Sequence, residues 1–234
     1  MSKRIKNIIG FLLLVAFFVL VLFTNNEQGK KLVKSVDVAI DATKGDPFLD
    51  DGDVMNLVYS RHDTLLSKPI SALHLSDVEG LLKNQSSVKN AEVYFEHNGK
   101  LKLEVELRKV IARIKPDSLS GFYIDDEGKT MPWLTKYSPR VLTVTGYLTR
   151  YNRYLKDTMI EQNLSTHSKL VKDVFAFAKY VNSSSFWKAQ IGQVYVDKNG
   201  DAILVPLIGN EEFVFGELTD YTNKFDKIRR YYEE

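Results

Sequence analysis

Histidine and cysteine are the side chains best suited to bind a metal ion, and this sequence offers few of them. Its 234 residues contain no cysteine, which excludes thiolate metal sites and cysteine nucleophiles. No two histidines have the i, i+4 spacing with which a helix presents a metal-binding pair. They fall in separate parts of the chain: His62, His74, His97 and His167. We therefore predict structural or solvated histidines and no cofactor.

Serine nucleophiles and phosphate-binding loops also leave recognisable motifs. The chain contains no Gly-x-Ser-x-Gly, no Walker A motif and no Gly-x-Gly-x-x-Gly. These absences argue against the common hydrolases and nucleotide-binding enzymes. We predict a protein without enzymatic activity and without a small-molecule substrate.

Clustered carboxylates could bind calcium or work as an acid–base pair. Two acidic stretches suggest calcium, Asp46–Asp53 and Asp197–Asp201. An EF-hand loop needs glycine at position 6 and glutamate at position 12, but the second stretch has Gly200 at position 4 and Ile208 at position 12. We predict instead a loop with a helix cap and a hairpin turn. A third stretch, Asp125–Glu127, is typical of a solvated turn without facing carboxylates.

The overall charge gives no sign of a polyanionic partner. Lys and Arg number 32, Asp and Glu number 30, and the two signs are interleaved along the chain. A nucleic-acid-binding protein usually concentrates basic residues in a patch or stripe. We therefore predict no nucleic-acid binding. The hydrophobic content of 44% is sufficient for a packed core.

An unbroken apolar run extends from Ile8 to Phe23 and follows Lys3, Arg4 and Lys6. Its length and basic flank predict a single transmembrane helix over residues 8–24, with residues 1–7 in the cytoplasm and the remainder exported. A cleavable signal peptide is the alternative, although no Ala-x-Ala-like site follows the run. Residues 25–31 are polar and are typical of a short spacer from the bilayer.

The elements of the first exported half follow the order β-α-α-β-β. Residues Ser35–Asp41 alternate as a half-buried strand does. Asp53 is the predicted N-cap of the first helix, and the sequence Ser76–Glu79 matches the capping box of a second. Two alternating strands, Val88–Glu96 and Leu101–Leu107, flank an Asn-Gly turn, which predicts a hairpin.

The second exported half contains more strands than helices, and the whole is predicted to be α+β. Helical spacing of apolar residues predicts helices over Ser165–Val181 and Tyr221–Tyr232. Alternation and turn signals predict a mostly antiparallel sheet. Its predicted strands are Val110–Ile114, Gly121–Ile124, Lys129–Met131, Arg140–Thr145, Gln193–Val196, Ala202–Leu207 and Glu212–Phe215.

Taken in order, these features resemble the FtsQ/DivIB family of bacterial cell-division proteins. One group of stretches resembles the end of that family's POTRA domain and its crossing into the β domain: Val88–Tyr94, Gly99–Val105 and Leu107–Ile114. Another group resembles the β domain itself: Tyr123–Pro132, Val144–Gly146 and Phe213–Gly216. The similarity covers nearly the whole chain and depends on the ordered series.

The resemblance implies a POTRA-like domain over residues 32–108 and an FtsQ-type β domain over residues 109–234. It also implies a non-enzymatic scaffold in the plasma membrane at the division septum. Such a scaffold binds FtsB/FtsL-type single-pass coiled-coil proteins and helps control septal peptidoglycan synthesis. The partner-binding residues that it implies lie on the strand Ala202–Leu207 and on the last helix: Ile203, Leu204, Val205, Arg229 and Arg230.

The chain departs from the family in two ways. Proline is usual where Val110 stands, so the resemblance predicts a less rigid domain junction here. The family also continues past its last helix into a further strand to which FtsB adds, whereas this chain stops at Glu234. Two other functions stay open: a membrane-anchored envelope enzyme acting on cell-wall polymer, and a POTRA-type chaperone of envelope assembly.

Overall fold

The computed structural model describes residues 11–19, 32–41, 45–61, 65–96, 98–116, 121–148 and 169–233. The chain divides into two compact units. The first unit contains Met1–Ile40, Leu49–Gln85 and Asn90–Val105. The second contains Asp41–Phe48, Ser86–Lys89 and Glu106–Glu234.

The structure covers only part of the predicted membrane segment. Residues 11–19 are helical, and the other residues of the segment lie outside the described part of the chain. Among the described residues, no helix has the length and the apolar character needed to cross a bilayer. The transmembrane helix therefore stays a prediction.

The first unit confirms the predicted β-α-α-β-β order. Its three strands form one sheet in the order β1-β3-β2, and every second residue of β3 is buried. A core of alternating strand residues and helix stripes follows from this pattern. The elements are β1 Ser35–Asp41, α1 Asp51–Arg61, a 3₁₀ turn Ile70–Ala72, α2 Leu75–Lys83, β2 Val88–Phe95 and β3 Lys100–Leu107.

Both helix starts differ from the sequence prediction. Helix α1 begins at Asp51, and the residue before it, Asp50, exchanges hydrogen bonds with Asp53: each backbone N–H donates to the other carboxylate at 2.9 Å. Asp50 is therefore the N-cap of a capping box, and Asp53 is its partner at the third residue of the helix. In α2 the N-cap is His74, which makes no side-chain cap. The predicted Ser76 cap was wrong, because Ser76 lies inside the helix.

Glu79 has a different role from the one its spacing suggested. Its carboxylate accepts the backbone N–H of Val93 at 3.0 Å and lies 3.7 Å from Lys83. A hydrogen bond from a backbone N–H to an ionised carboxylate is charge-assisted and stronger than one between two neutral groups. Glu79 therefore links α2 to β2 rather than capping its own helix.

The second unit contains a seven-stranded sheet in the order β10-β9-β8-β7-β4-β5-β6. Strands β4, β7 and β8 run parallel, and the other neighbouring pairs are antiparallel, as predicted for most of this sheet. The strands are β4 Val110–Pro116, β5 Phe122–Asp125, β6 Thr130–Pro132, β7 Leu142–Gly146, β8 Ile191–Val196, β9 Ala202–Pro206 and β10 Phe213–Gly216. The described helices are α3 Lys169–Ser183, α4 Ser185–Gln190 and α5 Tyr221–Glu233.

The core of the second unit lies between one face of this sheet and its helices. Buried strand residues such as Val144, Val194 and Leu204 pack in one cluster with Phe177 of α3 and Phe225 of α5. Apolar burial on this scale is the main stabilising term of a domain. A smaller cluster consists of Phe48, Val110, Tyr123 and Met131.

Around Val110 the chain is held by a loop of the same unit. The carboxylate of Asp46 accepts the Val110 N–H at 2.7 Å, and the Asp46 N–H donates to the Arg108 carbonyl at 3.1 Å. A Cβ atom on Gly45 would lie 2.3 Å from the Leu107 carbonyl oxygen, so only glycine fits there. These contacts hold the chain at Val110, where the resemblance led us to expect proline.

Candidate partner-docking surface

Strand β10 is the last strand at one end of the sheet within the described residues. It pairs antiparallel with β9 in the register Phe213 with Leu204 and Val214 with Ile203. An end strand carries N–H and C=O groups on its outer side that no neighbouring strand uses. This edge is therefore a place where another extended segment can add.

The outer face of the same strands carries a row of apolar side chains. Val214, Ile203 and Tyr195 are direct cross-strand neighbours on β10, β9 and β8, so their side chains share one face. Val214 is 83% exposed, and Ile203 and Tyr195 are half-buried. The edge of β10 and this apolar row together form what we call the docking surface.

The exposure of Val214 follows from the two aromatic residues beside it. Phe215 is buried, and its ring meets those of Phe177 and Phe225 at 5.4 and 5.3 Å. Phe213 also packs against the core. Because side chains alternate along a strand, fixing the two phenylalanines inward turns Val214 outward.

A β-bulge then ends the strand. The pairing with β9 shifts between Val214 and Gly216, and Gly216 has a φ of +71°. Glycine adopts this left-handed conformation without the steric cost that other residues incur.

Helix α5 supports the docking surface from the core side. Phe225 stacks on Tyr180 and Phe177, with ring centroids 5.3 and 5.7 Å apart, and lies 4.4 Å from the Trp187 ring. At the end of the helix, Tyr231 contacts the Phe213 ring at 5.5 Å. These contacts hold α5 beside β10 without using the backbone groups of the strand.

The Tyr232 hydroxyl is the most unusual polar group near this edge. It is buried and has no hydrogen-bond partner among the described residues, while its ring lies 5.8 Å from that of Phe213. Burial, helped by the nearby carboxylate of Glu211, raises the pKa of Tyr232 above its usual value. The hydroxyl therefore stays protonated at neutral pH and can donate a hydrogen bond.

The comparison with known proteins identifies the region that carries this surface. A family model described as "FtsQ/DivIB, C-terminal related" matches residues 109–234, which is more than half of the chain. The chain belongs to the FtsQ/DivIB family. A second model, described as a POTRA-like domain, matches residues 31–106. No curated protein matches the chain.

Membership of the FtsQ/DivIB family gives the chain a general role. It indicates a scaffold in cell division that works through protein–protein interaction within the divisome. It also indicates a membrane protein associated with the septum, from a family that is generally non-enzymatic.

The partner-binding residues that the FtsQ/DivIB resemblance implied occupy two kinds of position. Leu204 is fully buried, and β9 pairs with strands on both sides, so β9 offers neither that side chain nor a free edge. Strand addition on β9 itself is therefore excluded. Ile203 and Val205 are half-buried on the opposite face, where they stay candidates for side-chain contacts.

The two arginines of α5 also differ. The Arg229 guanidinium lies over the rings of Phe186 and Trp187, at 5.6 and 5.7 Å. Its position is therefore largely set within its own unit. Both arginines are exposed, and Arg230 stays a predicted partner contact.

The acidic stretches are used by their own turns. Asp197 accepts the backbone N–H groups of Asn199, Gly200 and Asp201 through one oxygen, at 2.8 to 2.9 Å. No group of histidine and acidic residues that could hold a metal ion occurs in the described part of the chain. Of the four histidines, only His74 lies within that part.

Asp125 differs from the solvated turn that we predicted. It is 1% exposed, and its carboxylate accepts a hydrogen bond from Arg108 Nη1 at 2.7 Å. It also accepts the backbone N–H groups of Lys129 and Glu127, at 2.6 and 3.0 Å. Burial raises the pKa of Asp125, while the Arg108 bond acts in the opposite direction. An ion pair so enclosed supports the β5–β6 turn and leaves no open site for acid–base chemistry.

The sequence did not single out Val214 or Tyr195 as part of a surface. Alternation over Glu212–Phe215 did predict the strand, but not which of its side chains face outward. Which strand lies at the end of the sheet depends on non-local pairing, which alternation does not encode.

Proposed function

We propose that this FtsQ/DivIB family member is a non-enzymatic, membrane-anchored division scaffold that binds FtsB/FtsL-type single-pass coiled-coil proteins. Through this binding it helps control septal peptidoglycan synthesis. The observation that supports the proposal best is the end strand β10, with Val214 exposed between two inward phenylalanines. Family membership supplies the divisome context.

The proposed mechanism is strand addition at β10. An extended segment of the partner pairs its backbone groups with the free side of Phe213–Gly216. Affinity then comes from main-chain hydrogen bonds, and specificity comes from side chains that pack on the apolar row of Val214, Ile203 and Tyr195. Arg230, on the neighbouring helix, favours a partner segment with acidic residues next to its strand.

The membrane anchor in this proposal is the helix over residues 8–24. The apolar run from Ile8 to Phe23 and the basic residues before it support this topology, with the bulk of the chain outside the cytoplasm. External protease added to sealed spheroplasts should then digest the exported units. Their survival intact would contradict the orientation.

The decisive experiment measures binding of the exported segment of an FtsB-type partner to the full chain by calorimetry. We expect Val214→Lys to weaken binding by at least about tenfold, because it places a charge at the centre of the apolar row. The free energy of unfolding should change by less than about 0.5 kcal/mol, since the side chain is exposed.

A matched control places the same charge beside the other end of the sheet. Thr135 is exposed and follows β6, and Thr135→Lys should leave partner affinity unchanged within about twofold. Equal loss with both variants would point to a general charge effect, and no loss with either would remove β10 from the proposal. Wall-hydrolysing activity in the purified chain would favour the envelope-enzyme alternative instead.

A further inference from the structure

A pocket of about 580 Å³ lies in the second unit and is independent of the proposed partner binding. It is lined by parts of β4, β7 and β8, the end of α3, helix α4 and the segment before β7. Pockets for small ligands generally measure about 300–1,000 Å³. The size therefore suits a small molecule better than a folded segment.

The charged side chains that line this pocket are all cationic. They are Arg113, Arg140 and Lys188, and no acidic residue is among the described residues of the lining. One acid outside the lining, Asp46, lies close enough to Lys188 for the lysine to lower the pKa of the Asp46 carboxyl group. That carboxylate also accepts the Val110 N–H. Even with this one negative charge counted, the side chains around the opening stay net positive. Three positive groups around one opening attract an anion.

Arg113 is held in place at the wall of the pocket. Its guanidinium lies over the rings of Tyr123 and Trp133, at 5.5 and 6.0 Å, and donates to the hydroxyls of Tyr123 and Ser138. Its Nε atom is buried and has no hydrogen-bond partner within the described ranges. The ring and hydroxyl contacts therefore hold the positive charge of Arg113 at the wall of the pocket.

The remainder of the lining is largely apolar. Ile111, Leu142, Val181 and Ile191 are among its side chains, and all four are buried members of the main core cluster. We propose that the pocket binds an amphipathic anion, a phosphate or carboxylate joined to an aliphatic chain. The anionic group pairs with the two arginines and Lys188, and the aliphatic chain packs against the apolar wall.

Hexyl phosphate is a suitable probe, titrated against the full chain in nanodiscs of zwitterionic lipid. Trp133 and Trp187 are the only tryptophans, and the Trp133 ring lies next to Arg113, so intrinsic fluorescence reports binding alongside calorimetry. We expect saturable binding. Inorganic phosphate and hexanol should each bind at least about tenfold more weakly than hexyl phosphate. Inorganic phosphate lacks the aliphatic chain, and hexanol lacks the anionic group.

Two further arms identify the source of the anion. Hexanoate in place of hexyl phosphate compares the two head groups. Phosphatidylglycerol added to the nanodisc should compete with hexyl phosphate if the natural ligand is a membrane lipid, and should leave its affinity unchanged if the ligand is a soluble amphiphile.

Substitutions decide whether the pocket is the binding site. Arg140 is exposed, so Arg140→Gln should not disturb folding, and it should weaken hexyl phosphate binding by about tenfold. Lys227→Gln removes one charge from α5 that is also exposed, and it should have no effect. Binding of hexanol as tight as that of hexyl phosphate, or equal affinity of both variants and the unmodified chain, would overturn the proposal.

Discussion

The two ends of the seven-stranded sheet differ in what they offer to another strand. Strand β6 has three residues, of which Thr130 and Met131 are fully buried, and it ends at Pro132. Strand β10 contains no proline and exposes Val214. Short length and proline are common ways of blocking an edge strand. Within the described ranges, the sheet thus has one blocked end and one open end.

The two ends are also supported by different interactions. At β6, the buried Asp125–Arg108 pair and the Lys129 N–H fix the turn that leads into the strand. At β10, contact between the rings of Phe215 and Phe225 fixes the strand from the core side of the sheet. The difference shows how an edge can be rigid and still open: apolar support leaves its backbone groups unused.

Removing the aromatic support of β10 should cause the largest loss of stability. Phe225→Ala deletes a fully buried ring that contacts four others, and we expect a loss of about 4 kcal/mol in the free energy of unfolding. Chemical denaturation measures this loss. Tyr231→Ala, at a side chain that is 56% exposed, should cost less than about 1 kcal/mol. Equal costs would show that β10 does not depend on the α5 core.

Breaking the ion pair at the blocked end should have the next largest effect. Arg108→Met leaves the Asp125 carboxylate buried without its cation, and we expect a loss of about 3 kcal/mol at pH 7. Combining Arg108→Met with Asp125→Asn should restore part of the lost stability. Partner affinity at β10 should be unchanged once the chain is folded.

The cost of Arg108→Met should depend on pH. Without Arg108 the folded-state pKa of Asp125 rises further above its ordinary value of 3.8, because the opposing hydrogen bond is gone. Below pH 3.8 the carboxyl group is protonated in both the folded and the unfolded state, so the penalty is absent there. It then grows as the pH rises through the folded-state pKa. A penalty that stays constant between pH 4 and pH 7 would contradict this account.

The smallest expected changes in stability come from the two arginines of α5, and the two should differ in kind. Arg229→Ala removes cation–π contacts with Phe186 and Trp187 and should cost about 0.5–1 kcal/mol of stability. Arg230→Ala should change stability by less than about 0.5 kcal/mol but should lower partner affinity. Thermal denaturation and partner titration of both variants test this division. The reverse pattern would move the docking surface toward Phe186.

Local pattern was sufficient to predict most elements of both units. The alternation of β3 and the Asn-Gly turn before it depend on neighbours in sequence, and Gly99 has the positive φ, +85°, that such a turn requires. Helix caps were less predictable. Ser76 satisfied a motif, but Glu79 formed a bond with Val93 fourteen residues away instead.

The candidate site was harder to predict from the sequence than the fold. Leu204 and Val205 are adjacent apolar residues, yet one is in the core and the other faces outward, and only the register with β8 and β10 decides which. Asp125 is another case. Its burial depends on Arg108, seventeen residues earlier, which no turn motif includes.

The hydrogen bond between Asp46 and Val110 makes that position a poor target for consensus engineering. Substituting the residue most common in a family is a standard route to a more stable protein. Proline, which the resemblance leads us to expect at this position, has no N–H. Burial already raises the pKa of Asp46, and the Val110 N–H counteracts this. Proline at this position would therefore remove a hydrogen bond that this chain uses.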